Sequence, residues 1–131
     1  MHQVVYVSDA APGLASQDVF RIIEQSARNN PSADITGFLI YRGGRFLQLI
    51  EGPLMSLETL LQTLARDPRH HSLRVLSRAA IAERSFGRWR MRRLGGDGEA
   101  AAELEAHLRA ESGGRDLPQE VRDFLRVSIA A

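Results

Sequence analysis

The spacing of hydrophobic and polar positions changes several times along the chain, and each change marks an element. Val4 to Val7 is short, β-branched and aromatic and runs into Ser8-Asp9-Ala10-Ala11-Pro12-Gly13, which predicts a strand entering a loop. From Ser16, an N-cap residue, the stripe Val19, Ile22, Ile23, Ser26, Ala27 recurs at helical spacing and stops at Asn29-Asn30-Pro31. Thr36 to Tyr41 and Arg45 to Glu51 read as two strands joined by Arg42-Gly43-Gly44, a hairpin signal. The second of these is apolar on both faces, with Phe46, Gln48 and Ile50 on one side and Leu47 and Leu49 on the other, as in a central strand. Leu57, Leu60, Leu61 and Leu64 then lie on one face of a helix from about Leu54 to Arg66, with Asp67 one turn beyond. Leu73 to Ile81 and Trp89 to Leu94 are further strand candidates, the latter alternating Trp89, Met91 and Arg93 with arginines. After Gly95-Gly96-Asp97-Gly98, helical spacing returns at Ala101, Leu104 and Leu108, breaks at Gly113-Gly114, and resumes at Leu117, Val121, Phe124 and Leu125.

The order β-α-β-β-α-β predicts an α+β fold, the ferredoxin-like split βαβ sheet, with an additional strand, two helices on one face and a C-terminal helical tail. In this expectation the first and third strands lie side by side and parallel in the middle of the sheet, which makes Tyr6 and Gln48 neighbours. The other face is left for the tail or a partner. Residues 1–94 form the functional domain and residues 95–131 a helical extension packed on it.

Composition adds mainly exclusions. With 131 residues the chain fits one domain, and 44% hydrophobic residues, 25% charged residues and a net charge of +1 point to a globular protein without a global electrostatic attraction to nucleic acid or membranes. There is no cysteine, which excludes disulfides, thiolate metal sites and cysteine nucleophiles. No signal-peptide pattern or long apolar run is present, and a cytoplasmic location is the expectation.

Gln48 is the position where pattern and chemistry disagree. A buried amide without partners costs about 1–3 kcal/mol, so Gln48 is either a core residue satisfied by its surroundings or a side chain aimed at a ligand. Tyr6 also needs a partner for its hydroxyl, and Gln48 is the expected one. Asn29 and Asn30 read either as a helix C-cap or as polar groups extending the inner stripe. Asp67-Pro68-Arg69-His70-His71 reads either as a solvated turn or as a ligand-binding cluster. Adjacent histidines lack the i, i+4 spacing of a metal pair, so no metal is expected. Arg88, Arg90, Arg92 and Arg93 around Trp89 form a basic strand, a solvated face given the overall charge balance. Both helices end in polar residues that continue their apolar stripes, and the cleft between them suits a flat apolar ligand with polar edges.

Taken together, these residues resemble the BLUF domain, a family of blue-light sensors that bind FAD. The resemblance is carried by Tyr6-Val7-Ser8, by Ala27-Arg28-Asn29-Asn30 with Ile35-Thr36-Gly37-Phe38, by Phe46-Leu47-Gln48-Leu49-Ile50-Glu51-Gly52-Pro53, by Asp67-Pro68-Arg69-His70, and by Arg84-Ser85-Phe86-Gly87-Arg88-Trp89. It implies that Asn30 holds the flavin C4 carbonyl and N3 edge, that Arg69 approaches the C2 carbonyl, and that Asn29, Asp67 and His70 line the ring. Ile22 and Leu64 would sandwich the isoalloxazine. Tyr6 would donate an electron and a proton by way of Gln48, whose changed orientation or tautomer is the signal, and Trp89 and Met91 would relay it. No stable covalent adduct forms in such proteins, in keeping with the missing cysteine. Thr63 stands where some relatives have a basic residue, which leaves that contact to Arg66 or to none. Loose binding of the adenine end admits FMN or riboflavin beside FAD.

The resemblance further implies a photoreceptor that is not an enzyme, since residues 95–131 are too few for a catalytic domain. Its output goes to a separate downstream effector protein or another copy of the chain in a homo-oligomer. Two rivals use the same fold: an RNA-binding module with exposed aromatics on its central strands, and a small acyl-phosphate hydrolase, for which the loop Asp9 to Ala15 offers no evident anion cradle.

Overall fold

The computed structural model describes residues 1–10, 21, 34–42, 44–66, 70–89, 92–94 and 100–130. Among the described residues eight elements follow in chain order: β1 (His2–Ala10), β2 (Thr36–Arg42), β3 (Arg45–Gly52), α1 (Leu54–Ala65), β4 (His70–Ala80), β5 (Arg92–Leu94), α2 (Ala101–Glu111) and α3 (Gln119–Ala130). The helix expected from Ser16 lies outside the described residues. The strands form one sheet in the order β4-β1-β3-β2-β5, with β3 in the middle.

Strands β1 and β3 are adjacent as expected, but they run antiparallel, with Tyr6 opposite Gln48 and Val4 opposite Ile50. The expected parallel pairing is wrong for a topological reason. A crossover between β1 and β2 makes those two strands point the same way, and the hairpin after β2 reverses β3. The short β5 does run parallel to β2 at the far edge. It begins only at Arg92, so Trp89 sits in the segment leading to it rather than within the predicted strand.

Alternation on the central strands splits the core into two layers. On one face Val4, Tyr6, Leu39, Phe46 and Ile50 pack with Leu57, Leu60, Leu61 and Leu64 of α1. On the other, Val5, Val7, Phe38, Ile40, Leu47 and Leu49 pack with Leu104, Leu108, Val121 and Phe124 of α2 and α3. The tail helices therefore cover the second face, because both sides of β3 are apolar and neither can be left in water.

Gly37 is required by the approach of β2 to β3. Its φ is +144°, and a Cβ placed there would lie 1.9 Å from the Leu49 carbonyl oxygen. Strand β4 carries extra residues where the β1 register shifts, and Ser72 adopts a φ of +57° beside one of these irregularities. Such bulges, with Arg74 and Arg78 along the strand, blunt an edge that would otherwise template pairing. Among the described residues, no helix is long and apolar enough to cross a membrane.

Candidate functional site

Tyr6 and Gln48 meet through the strand register. They are directly opposed on β1 and β3, which brings their Cβ atoms to about 5 Å. Both are fully buried, at 0% exposure. Leu39 flanks Gln48 on β2 and Val75 flanks Tyr6 on β4, so the pair sits in a largely apolar sheet face. The wall above it is α1, where the four leucines at helical spacing are buried and Leu64 joins the cluster that contains Tyr6. Phe46 and Tyr41 complete the floor with a tilted ring pair, centroids 4.7 Å apart.

The expected hydrogen bond between Tyr6 and Gln48 is not formed. The Tyr6 hydroxyl is buried and makes no hydrogen bond to any described residue, and the same holds for the Ser8 hydroxyl. Register fixes only where two backbones meet, whereas the ends of long side chains follow their own rotamers. Burial, which withholds water from a phenolate, raises the Tyr6 pKa well above its usual value. Tyr6 is thus a neutral phenol with an unused donor, enclosed at the face covered by α1.

The other predicted residues divide by position. Leu64 lies on the Tyr6 face. His70 opens β4 opposite Ala10, and His71 pairs with Asp9, so this end of the expected polar turn is strand. Ile22, Asn29, Asn30, Asp67, Arg69 and Met91 lie outside the described residues. Thr63 donates from its hydroxyl to the Thr59 carbonyl oxygen within its own helix. Trp89 is buried on the opposite face from Tyr6, against Phe38, Phe86 and His107. Among the described residues no group of three or more His, Asp or Glu is arranged to hold a metal ion. The aromatics that an RNA-binding sheet would need in the open, Tyr6, Phe38 and Phe46, are all fully buried.

One cluster escaped the pattern reading. Glu51 is fully buried, and its Oε1 accepts from the Phe86 backbone N–H at 2.7 Å. Its Oε2 accepts from the Ser85 backbone N–H and from Gln3 Nε2, each at 3.0 Å. Arg84 donates to the carbonyl oxygens of Glu51 at 3.0 Å and Asp34 at 2.6 Å and to the Thr36 hydroxyl at 2.7 Å, and pairs with the Asp34 carboxylate at 2.9 Å. The signal was a charge in the apolar run of a central strand, which demands partners wherever it is buried.

A family model described as sensors of blue-light using FAD, BLUF, matches residues 1–92. Photoactivated adenylate cyclase subunit beta of Euglena longa is 32% identical over 83 residues, covering 63% of this chain and 10% of that protein. The blue light- and temperature-regulated antirepressor BluF of Escherichia coli is 27% identical over 85 residues, 65% of this chain and 21% of that protein. The chain therefore spans a small part of the length of either relative. A solved dark-state structure of BlrB, described as a BLUF protein, superposes with a TM-score of 0.69 at 27% identity, covering 99% of this chain and 96% of that one. The family match takes in β1 to β4 and with them both Tyr6 and Gln48, and the chain belongs to the BLUF family, the sensors of blue light using FAD.

Proposed function

We propose that this chain senses blue light through a rearrangement of hydrogen bonds at Gln48 that Tyr6 initiates. The observation that carries the reading is a fully buried phenol, its hydroxyl unused among the described residues, directly across a strand pair from a fully buried amide. The residues suit a flavin. An orphaned buried donor calls for an acceptor, and the leucine face of α1 offers an apolar wall for a flat ring. Leu64 and Ile22 would hold the two sides of the ring, and Asn29, Asn30, Asp67, Arg69 and His70 its polar edge.

Bound FAD supplies the absorption of blue light and an acceptor for one electron. Tyr6 would give up that electron with its phenolic proton and recover both when the charge returns, so that the net change is confined to Gln48. Gln48 carries both a donor NH2 and an acceptor carbonyl, so it can receive a proton at one end and release one at the other. It is left in a new orientation or tautomer, and that difference is the signal. The domain has no chemistry of its own beyond this step, and its output passes to a separate effector protein or to a second copy of the chain. Such a partner must bind the lit and dark forms with different affinity.

The decisive experiment is the absorption spectrum of purified protein before and after blue light. A yellow protein whose flavin band shifts reversibly to the red is expected, together with a Gln48→Leu variant that binds flavin and lacks the shift. Protein without flavin, or flavin whose band does not move, overturns the reading.

A further inference from the structure

The segment 81–89, between β4 and the approach to β5, is built as a strap between the sheet and the tail helices. At its middle Glu51 holds the backbone N–H groups of Ser85 and Phe86, one on each carboxylate oxygen. At its end the Gly37 N–H donates to the Trp89 carbonyl oxygen at 2.7 Å. From these two pins Phe86 and Trp89 enter the second core layer. Phe86 packs edge-on to Phe38 at 4.9 Å, and Trp89 packs edge-on to His107 of α2 at 5.5 Å. On the outer side Arg115, from the connection between α2 and α3, pairs with Glu83 and reaches the Ser85 hydroxyl. The strap thus touches both β3 and the tail.

Strand β3 presents Gln48 to the α1 face and Glu51, three residues on, to the opposite side. We propose that Glu51, supported by Arg84, is the positioning residue that carries a change at Gln48 through the sheet to Trp89 and α2. The inference rests on the light-sensing reading above. Three donors converge on the two Glu51 oxygens, which suits an acceptor-only carboxylate. Any displacement of β3 that follows the switch at Gln48 moves both oxygens with it, and the main-chain N–H groups they hold must follow or let go. Coupling through a structure requires a two-state element, and a strap docked on Glu51 or released from it would supply one. Arg84 reinforces the dock by tying the same segment to the Glu51 and Asp34 carbonyl oxygens.

Trp89 is the sole tryptophan, so 5-fluorotryptophan incorporation gives the full flavin-loaded chain one 19F resonance at the end of the strap. It is compared in the dark and under blue light, alongside the flavin absorption band. In the unsubstituted protein the band shifts red and the 19F resonance moves. Glu51→Gln replaces one acceptor with an NH2 group and so leaves one strap N–H facing a donor. That variant is expected to keep the red shift and lose the 19F difference. A Glu51→Gln variant with both responses intact overturns the inference, as does an unsubstituted protein whose band shifts while its 19F signal stays still. A protein without any red shift instead defeats the light-sensing reading itself. If Glu51→Gln does not fold, Arg84→Lys is measured in the same way, because it keeps the charge and loses the planar fork. A reduced 19F difference with the red shift intact supports the inference. An unchanged difference, or failure of both variants to hold flavin in the dark, assigns the pair to folding alone and overturns it.

Discussion

At Tyr6, burial does two things at once. It keeps the phenol protonated, since its pKa is raised well above the usual value by the loss of water around a phenolate, and it leaves the hydroxyl with a donor to give. The first effect has a pH signature. An unfolded tyrosine ionises near pH 10 or so, while the folded one retains its proton, so above about pH 10 the unfolded chain binds fewer protons and stability falls as pH rises. Below that point the contribution is fully present. Tyr6→Phe is therefore expected to lose photoconversion while still binding flavin, and also to flatten part of the alkaline loss of stability. Urea midpoints measured from about pH 9 to about pH 11, beside the light–dark spectra, check both parts. Normal photoconversion in Tyr6→Phe removes the residue from the mechanism.

At the scale of elements, the hairpin of β2 and β3 is the piece on which the site depends. It places Gln48 in the central strand and Leu39 beside it, and its close approach is possible only because Gly37 has no side chain. Gly37→Ala would drive a methyl group into the Leu49 carbonyl in a backbone conformation that L side chains rarely adopt. It is expected to cost at least about 3 kcal/mol, the upper end for overpacking. A urea melt is the measure, and a variant as stable as the parent protein shows that the hairpin does not need this approach. Helix α1 is held by burial rather than capping. Its N-cap is Pro53, which offers no side-chain cap bond, while its four leucines are buried in the Tyr6 layer.

For the molecule as a whole, one sheet separates two core layers. The α1 layer contains Tyr6 and Gln48, and the tail layer contains Trp89 together with α2 and α3. Leu104 and Leu108 are fully buried in the tail layer. Leu108→Ala should cost about 2–5 kcal/mol of stability, the range for a truncated core leucine. Because the sheet stands between that cavity and Tyr6, the same variant should retain its red shift at temperatures where it is folded. Thermal melts and light–dark spectra on one sample test both statements. Loss of the red shift in a folded Leu108→Ala protein would place the tail inside the photochemical step.

Much of this was legible in the chain because hydrophobic period reports which faces must leave water. The leucine stripe of α1, the two-faced β3 and the broken pattern after Gly113 each correspond to an observed element or boundary. Gln48 could be singled out because an amide in an apolar run has to be satisfied by something. Strand direction also follows from the β-α-β-β order, since a crossover and then a hairpin reverse β3 against β1; what remained fell to the tertiary structure. It alone decided that Tyr6 and Gln48 are opposed without being bonded, because the ends of side chains obey rotamers that spacing does not encode. It also put Trp89 on the face away from Tyr6, and it joined Glu51 to Ser85 and Phe86 across more than thirty residues. Contacts of that kind depend on how the chain closes on itself, and no local pattern carries them.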